Sequence, residues 1–382
     1  MAPEVFMSKQ VLIVGGYGQV GQAVAKALAP EYPGRVVIAG RSRERAEAFA
    51  ASLGHGSRGL ALDVQVEGAA ARLEGVGLVV MCVDQEQDTF VRACLEAGVD
   101  YVDVTARHAS LVAFERLDAV ARRSGATAVL SVGVAPGVSN VLAARVVAGM
   151  ERVERLDLFV LLGAGDAHGD AAIAWTLDQL DTPFEVLEEG RPRRVHGFSE
   201  RSWVQLPGEA TPRAGWRFDF PDQHTVARTL DLPTVSTWLS VDPRWLTGLL
   251  ALAVRLGIGR VLRRPWLRRA VMWLLHRVRM GSDVCAVVAR ARGWSAGHAV
   301  TREGVLQGRR EAALTACVAT EVARELLRGP GPGGVLQLDQ LPGREALLQR
   351  VVAASPGARL SLPESARSGV GAAVFAVRPT PS

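Results

Sequence analysis

The chain has 382 residues, 48% of them apolar and 22% charged, with a mean hydropathy of +0.15. These values sit near the globular average and exclude a disordered chain, a coiled coil and a polytopic membrane protein, while the length predicts two domains or more. The net charge is +5, but Lys9 and Lys26 are the only lysines, one just before an apolar run and one inside a helical pattern, which nearly excludes a catalytic lysine.

From the N-terminus, Met1 to Gln10 contains no apolar stretch of signal-peptide type and leads directly into Val11-Leu12-Ile13-Val14. That run predicts a strand. It ends in Gly15-Gly16-Tyr17-Gly18-Gln19-Val20-Gly21, followed by a helix over Gln22 to Ala29 that Pro30 and Pro33 terminate. Strand, glycine turn and helix is the order of a dinucleotide site, with Gly16 for the tight turn, Gly18 for close approach of a diphosphate and Gly21 for helix packing. Forty glycines make the bare motif common by chance, so its weight comes from this setting. Tyr17, Gln19 and Val20 are expected to line the same turn.

A second strand, Val36 to Ala39, ends in Gly40-Arg41-Ser42-Arg43, where an NAD site would place a carboxylate for the ribose 2′-hydroxyl. Arginine and serine there suit a 2′-phosphate instead, so NADP(H) is the expected cofactor, held by Arg41, Ser42 and Arg43. Further strands are predicted at Leu60 to Val64, Leu78 to Val83, Tyr101 to Val104 and Ala128 to Val132, with helices at Asp88 to Ala97 and Leu111 to Arg123. Six strands in this rhythm predict an α/β fold with a doubly wound parallel (Rossmann) sheet over residues 8–140. Ligands bind beyond the carboxyl ends of such strands, which directs Asp63, Val83, Asp84, Thr105 to His108 and Gly133 to Asn140, with Pro136 and Gly137, toward the cofactor.

Three segments, VLIVGGYGQVGQAVAKAL, AGVDYVDVTA and SVGVAPGVSNVLAARV, together resemble the saccharopine dehydrogenase-like NADP-dependent reductases. The resemblance runs over residues 8 to about 145 and is faint afterwards. It implies a two-domain reductase that delivers hydride from NADPH, often to a C=N bond between an amine and a carbonyl compound. The chain departs from many relatives at Ala106-Arg107-His108 and lacks the lysine of the lysine and histidine pair used by some saccharopine dehydrogenases, which argues against saccharopine itself as substrate. Protonation of an imine nitrogen needs an acid nearby. Asp103 and His108 are the catalytic candidates, and His224 is the one other histidine singled out for test.

Residues 141–330 predict a second, α+β domain with a mixed sheet for substrate binding and oligomerisation, built on strands at Leu156 to Leu162, Val284 to Ala291 and Ala299 to Leu306 and a helix from Arg310 to Leu327. Residues 331–382 form a C-terminal segment expected to pack back on the first domain. Inside the second domain, 244–280 is an insert of two helices split near Pro265, with nine arginines and no Asp or Glu between Arg244 and Arg279. It is expected to line an apolar pocket or dimer contact, with peripheral membrane contact as the alternative. The four cysteines and remaining histidines form no metal or disulfide pattern, so the expectation is a cytoplasmic homodimer that takes a small-molecule substrate, with no metal, no nucleic acid and no transmembrane segment. Two other readings stand beside the imine reductase: an NADPH-dependent enoyl (C=C) reductase of a lipid-like substrate, and a non-catalytic NADP(H)-binding sensor or scaffold. A short-chain dehydrogenase is disfavoured, since none of Tyr17, Tyr32 and Tyr101 has a lysine four residues on.

Overall fold

The computed structural model describes residues 9–66, 68–166, 170–180, 182–257, 264–277 and 281–363. His168, the stretch 258–263 between the two helices of the insert and its last residues 278–280 lie outside the described residues, as do the His276 side chain and the tail from 364. The first part of the chain alternates strands and helices: β1 (Gln10–Val14), α1 (Gln19–Leu28), β2 (Val36–Gly40), α2 (Arg43–Leu53), β3 (Arg58–Ala61), β4 (Val76–Met81), α3 (Thr89–Glu96), β5 (Asp100–Asp103), α4 (His108–Glu115), α5 (Asp118–Ser124) and β6 (Thr127–Leu130). These strands are apolar on both faces because helices cover both sides of the sheet. In β1 the period of two is explicit: Val11 and Ile13 enter one core, while Leu12 and Val14 enter the other.

Past β6 come α6 (Ser139–Val147), β7 (Arg152–Gly163), α7 (Asp170–Gln179), β8 (Pro183–Glu188), β9 (Arg191–His196), β10 (Arg201–Val204), β11 (Arg213–Arg217), α8 (Pro221–Thr229) and β12 (Val235–Asp242). The remainder is α9 (Arg244–Arg255), α10 (Pro265–Arg277), β13 (Val284–Ser295), β14 (His298–Arg309), α11 (Glu311–Arg328), β15 (Gly334–Gln337), α12 (Arg344–Ala354) and β16 (Arg359–Ser361). A second sheet runs in the order β10-β11-β12-β7-β13-β14-β16. It is mixed, with β7 and β12 parallel and β13 antiparallel to both β7 and β14.

The first sheet has seven strands, not six, in the order β15-β6-β5-β4-β1-β2-β3. The added strand returns from the far end of the chain to pair in parallel with β6. α11 accompanies it, burying Leu314, Val318, Val322 and Leu326 in the core that joins the two sheets. Two further departures are local. The strand expected at Leu60 to Val64 lies at Arg58–Ala61, because the Asp63 carboxyl accepts a hydrogen bond from the Gln65 N–H and turns the chain out of the sheet. The helix expected over Leu111 to Arg123 is broken into α4 and α5, and Leu117 between them is directed into the core.

Candidate functional site

The glycine turn begins one residue earlier than its motif suggests. Gly15 takes the left-handed conformation at φ +75°, so the tight turn belongs to Gly15 and not to Gly16. A Cβ on Gly16 would stand 2.8 Å from the Ile13 carbonyl oxygen, and one on Gly21 would stand 2.7 Å from the Gly16 Cα. Both glycines are therefore required by backbone packing. Val83, at the carboxyl end of β4, presses on Gly15. Gly18 precedes α1 and supplies no side-chain cap, and the first turn of α1 carries no acid. The N–H groups of Gln19, Val20 and Gly21 thus open onto the turn without intrahelical partners, which fits a diphosphate.

Tyr17 does not project from this turn. Its ring lies so close to Gly40 that a Cβ there would be 2.5 Å from it. Its hydroxyl accepts a hydrogen bond from the Ser42 N–H at 3.0 Å, and the Arg45 guanidinium stacks 4.5 Å from the ring centroid. Tyr17 therefore pins the end of β2 to the glycine turn. Ser42 caps α2 by accepting from the Arg45 N–H at 3.2 Å, which leaves its hydroxyl hydrogen free to donate. Arg41 is exposed at the tip of β2, whereas Arg43 points along α2 toward Glu47, 3.9 Å away. A phosphorylated ribose beside Arg41 and Ser42 would meet a guanidinium and a hydroxyl donor.

At the next strand ends the candidates separate. Asp103 is fully buried. One carboxyl oxygen accepts from the Tyr101 hydroxyl at 2.9 Å and the other from the Thr105 N–H at 2.7 Å. Burial raises its pKa to about 7. A carboxyl enclosed in this way anchors the loop after β5 and offers no open oxygen to a substrate. The turn from Gly133 to Asn140, including Pro136 and Gly137, is also internal and not a lining of N–H groups. Val134 N–H donates to the Thr315 hydroxyl, Val138 N–H to the Gly133 carbonyl and Gly137 N–H to the Asn140 side chain. Asn140 in turn donates to the Thr225 hydroxyl at 2.8 Å and to Asp339 at 3.4 Å, tying the turn to α8 and the C-terminal segment.

His108 opens α4, and its ring lies against that of His224 of α8, with centroids 4.3 Å apart and the planes tilted by 32°. One residue from the first sheet's half and one from α8 thus meet where the loop after β5 touches the second half of the chain. His224 Nε2 lies 2.6 Å from an Asp219 oxygen, and the Gln223 amide donates to that same oxygen. His108 Nδ1 is buried without a hydrogen-bond partner. Burial, then the neighbouring His224 and Arg228, lowers the His108 pKa to about 4. Arg228 clamps both oxygens of Glu115 at 2.6 Å and so holds α8 against α4. Beneath α8 lies an aromatic cluster in which Trp175, Phe218 and Phe220 sit 5.1–5.5 Å apart. Asp219, Arg228 and Gly40 carry no sequence motif that would single them out. Among the described residues, no group of three or more His, Cys, Asp or Glu side chains could hold a metal ion.

These features define an α/β fold with a parallel sheet of the dinucleotide-binding type, its glycine turn leading into α1, joined to a second, mixed-sheet half. More narrowly, residues 11–129 match the family described as saccharopine dehydrogenase NADP binding domain. No curated protein matches the chain. Among solved structures, apo saccharopine dehydrogenase (L-Glu forming) from Saccharomyces cerevisiae has 16% identity over 90% of this chain and 96% of its own, with a TM-score of 0.60. That likeness is one of fold. The DAP dehydrogenase of C. glutamicum has 14% identity, covering 91% of this chain and 99% of its own at a TM-score of 0.46. The amine dehydrogenase of Mycobacterium smegmatis has 14% identity, covering 88% and 96% at a TM-score of 0.47.

Proposed function

We propose that the chain is an NADPH-dependent reductase that adds hydride to a C=N bond of a small substrate derived from an amine and a carbonyl compound, with His224, beside His108, exchanging the nitrogen's proton. The observation that carries this reading is the close imidazole pair beyond the carboxyl end of β5, with His224 Nε2 held by Asp219. NADPH, when bound, supplies the hydride. The backbone from Gly16 to Gly21 holds its diphosphate, Arg41 and Ser42 hold the 2′-phosphate, and Asp63 stands on the adenosine side. Asp103 is a positioning residue: through the Thr105 N–H it fixes the loop that leads to His108.

Hydride arrives at carbon, so one proton must reach nitrogen, and Asp219 orients His224 for that exchange as a third group orients a base. In the reverse, dehydrogenating direction His224 takes the same proton back, while His108, its pKa lowered to about 4 by burial, stays neutral beside it and adds no charge to the pair. The free state of all four cysteines supports a reducing, cytoplasmic compartment. The competing reading is an enoyl reductase of a lipid-like substrate, for which the arginine-rich apolar insert would be the acyl-binding element.

Both are tested by following NADPH oxidation with 2-oxo acids plus ammonium or a primary amine, and separately with enoyl thioesters. Turnover is expected with the first set. His224→Gln and His108→Asn should each lower kcat by about 10²–10⁴-fold while NADPH affinity stays unchanged. Turnover with enoyl thioesters alone, or wild-type rates in both variants, would overturn the proposal.

A further inference from the structure

The insert is apolar on the wrong side. On α9, Thr247 and Ala251 are buried, and Leu250 and Val254 pack on the aromatic cluster that contains Phe218 and Phe220. Those residues form its inner face. The outer face carries Trp245, Leu249, Leu252 and Leu256, which are 51–72% exposed. Their spacing of four, three and four residues draws one stripe along the helix. On α10, Trp266 and Trp273 are 64% and 61% exposed, two helical turns apart and so on one side. Six of the ten large apolar side chains that stand exposed among the described residues lie on these two helices or, for Leu256, on the residue that ends the first of them. A helix apolar all round is normally covered on every side.

We propose that this outer face docks on the surface of a bilayer rich in anionic lipid, lying in the plane of the interface. Charge selects the occupant. Nine arginines and no acid fall between Arg244 and Arg279, and Arg264, Arg269 and Arg277 are exposed beside the tryptophans. A second copy of the chain would bring the same arginines face to face with no carboxylate from this segment between them. Arg244 is already paired with Glu209 at 2.7 Å; anionic headgroups neutralise exposed arginines such as Arg264, Arg269 and Arg277, and indole rings with leucine side chains suit the boundary between headgroups and acyl chains. Neither helix is long and apolar enough to cross a membrane. The inference stands on this surface alone and does not depend on the reaction proposed above.

The test is co-sedimentation of the full chain with phosphatidylcholine vesicles prepared with and without phosphatidylglycerol. Binding is expected only to the anionic vesicles, weakening as salt rises. The double variant Leu249→Glu and Leu252→Glu changes exposed positions only, so NADPH binding and molar mass in solution should match the wild type. Its vesicle binding should fall at least ~10-fold. No sedimentation with either vesicle, equal binding by the double variant, or a wild-type oligomer that the double variant dissociates would each overturn the proposal. The last outcome would assign the face to a protein contact.

Discussion

Replacing Arg41 by alanine separates recognition of the 2′-phosphate from every other contribution to cofactor binding. Arg41 is exposed, and no hydrogen bond or ion pair of its side chain occurs among the described residues. Its loss should therefore change folding stability by no more than about 0.5 kcal/mol. Hydrogen bonds to a charged group contribute about 1.5–3 kcal/mol, which corresponds to roughly 12- to 150-fold in Kd. The lower half of that range applies at so open a position, because water and salt screen the pair. Isothermal titration of wild type and variant with NADPH and NADH reads both effects at once. NADPH affinity should fall by about 10- to 50-fold, while NADH, which lacks the phosphate, should change little. Arg41→Glu should extend the loss for NADPH by placing like charges together. Equal losses for both dinucleotides, or no loss for NADPH, would refute the assignment of the 2′-phosphate to this residue.

Further outcomes follow from packing and charge. Gly40→Ala pushes the new Cβ into the Tyr17 ring, so it should unseat the Tyr17 hydroxyl from Ser42 and cost about 1–3 kcal/mol, seen in urea unfolding together with weaker NADPH binding. Asn140→Ala strands the buried Gly137 N–H and should cost a further loss of about 1–3 kcal/mol, again read by urea unfolding. Asp103 titrates near 7 in the folded chain but near 4 when unfolded. Between those values the folded state binds the extra proton, so this carboxyl's contribution to stability is lost as pH rises through the window. Asp103→Asn holds the position neutral, and its stability relative to wild type should improve steadily from pH 4 to 7 and then level off. His108 has the opposite sign: with its pKa lowered to about 4, its contribution is lost as pH falls below about 6.5. His108→Asn should lessen the acid sensitivity of unfolding in that range.

The parallel sheet was legible because its information is local. Val11 to Val14, the glycines and Val36 to Ala39 lie within one stretch of chain, and strand, turn and helix propensities agree there. The seventh strand was not, since Gly334–Gln337 is short and pairs with β6 across roughly half the chain. Residue chemistry misled at Asp103 and in the turn from Gly133 to Asn140. Both have the composition of a ligand loop, yet their polar atoms are used up by Tyr101, Thr105 and Thr315. Only packing decides whether such groups face inward or out. His224 stands out by its polar neighbours, but its contact with His108 depends on how α8 docks against α4 through Arg228 and Glu115. The insert shows the same limit. Its sequence displays apolar residues and arginines, but the solvent-facing side of α9 emerges only once Leu250 and Val254 are seen to occupy the inner face.

The most direct measurement of the whole account is a crystal structure of the full chain with NADPH. The diphosphate is expected across Gly16 to Gly21, the 2′-phosphate against Arg41 and Ser42, and the nicotinamide ring beside the His108 and His224 rings. A nicotinamide directed away from that histidine pair, with the dinucleotide otherwise bound, would contradict it.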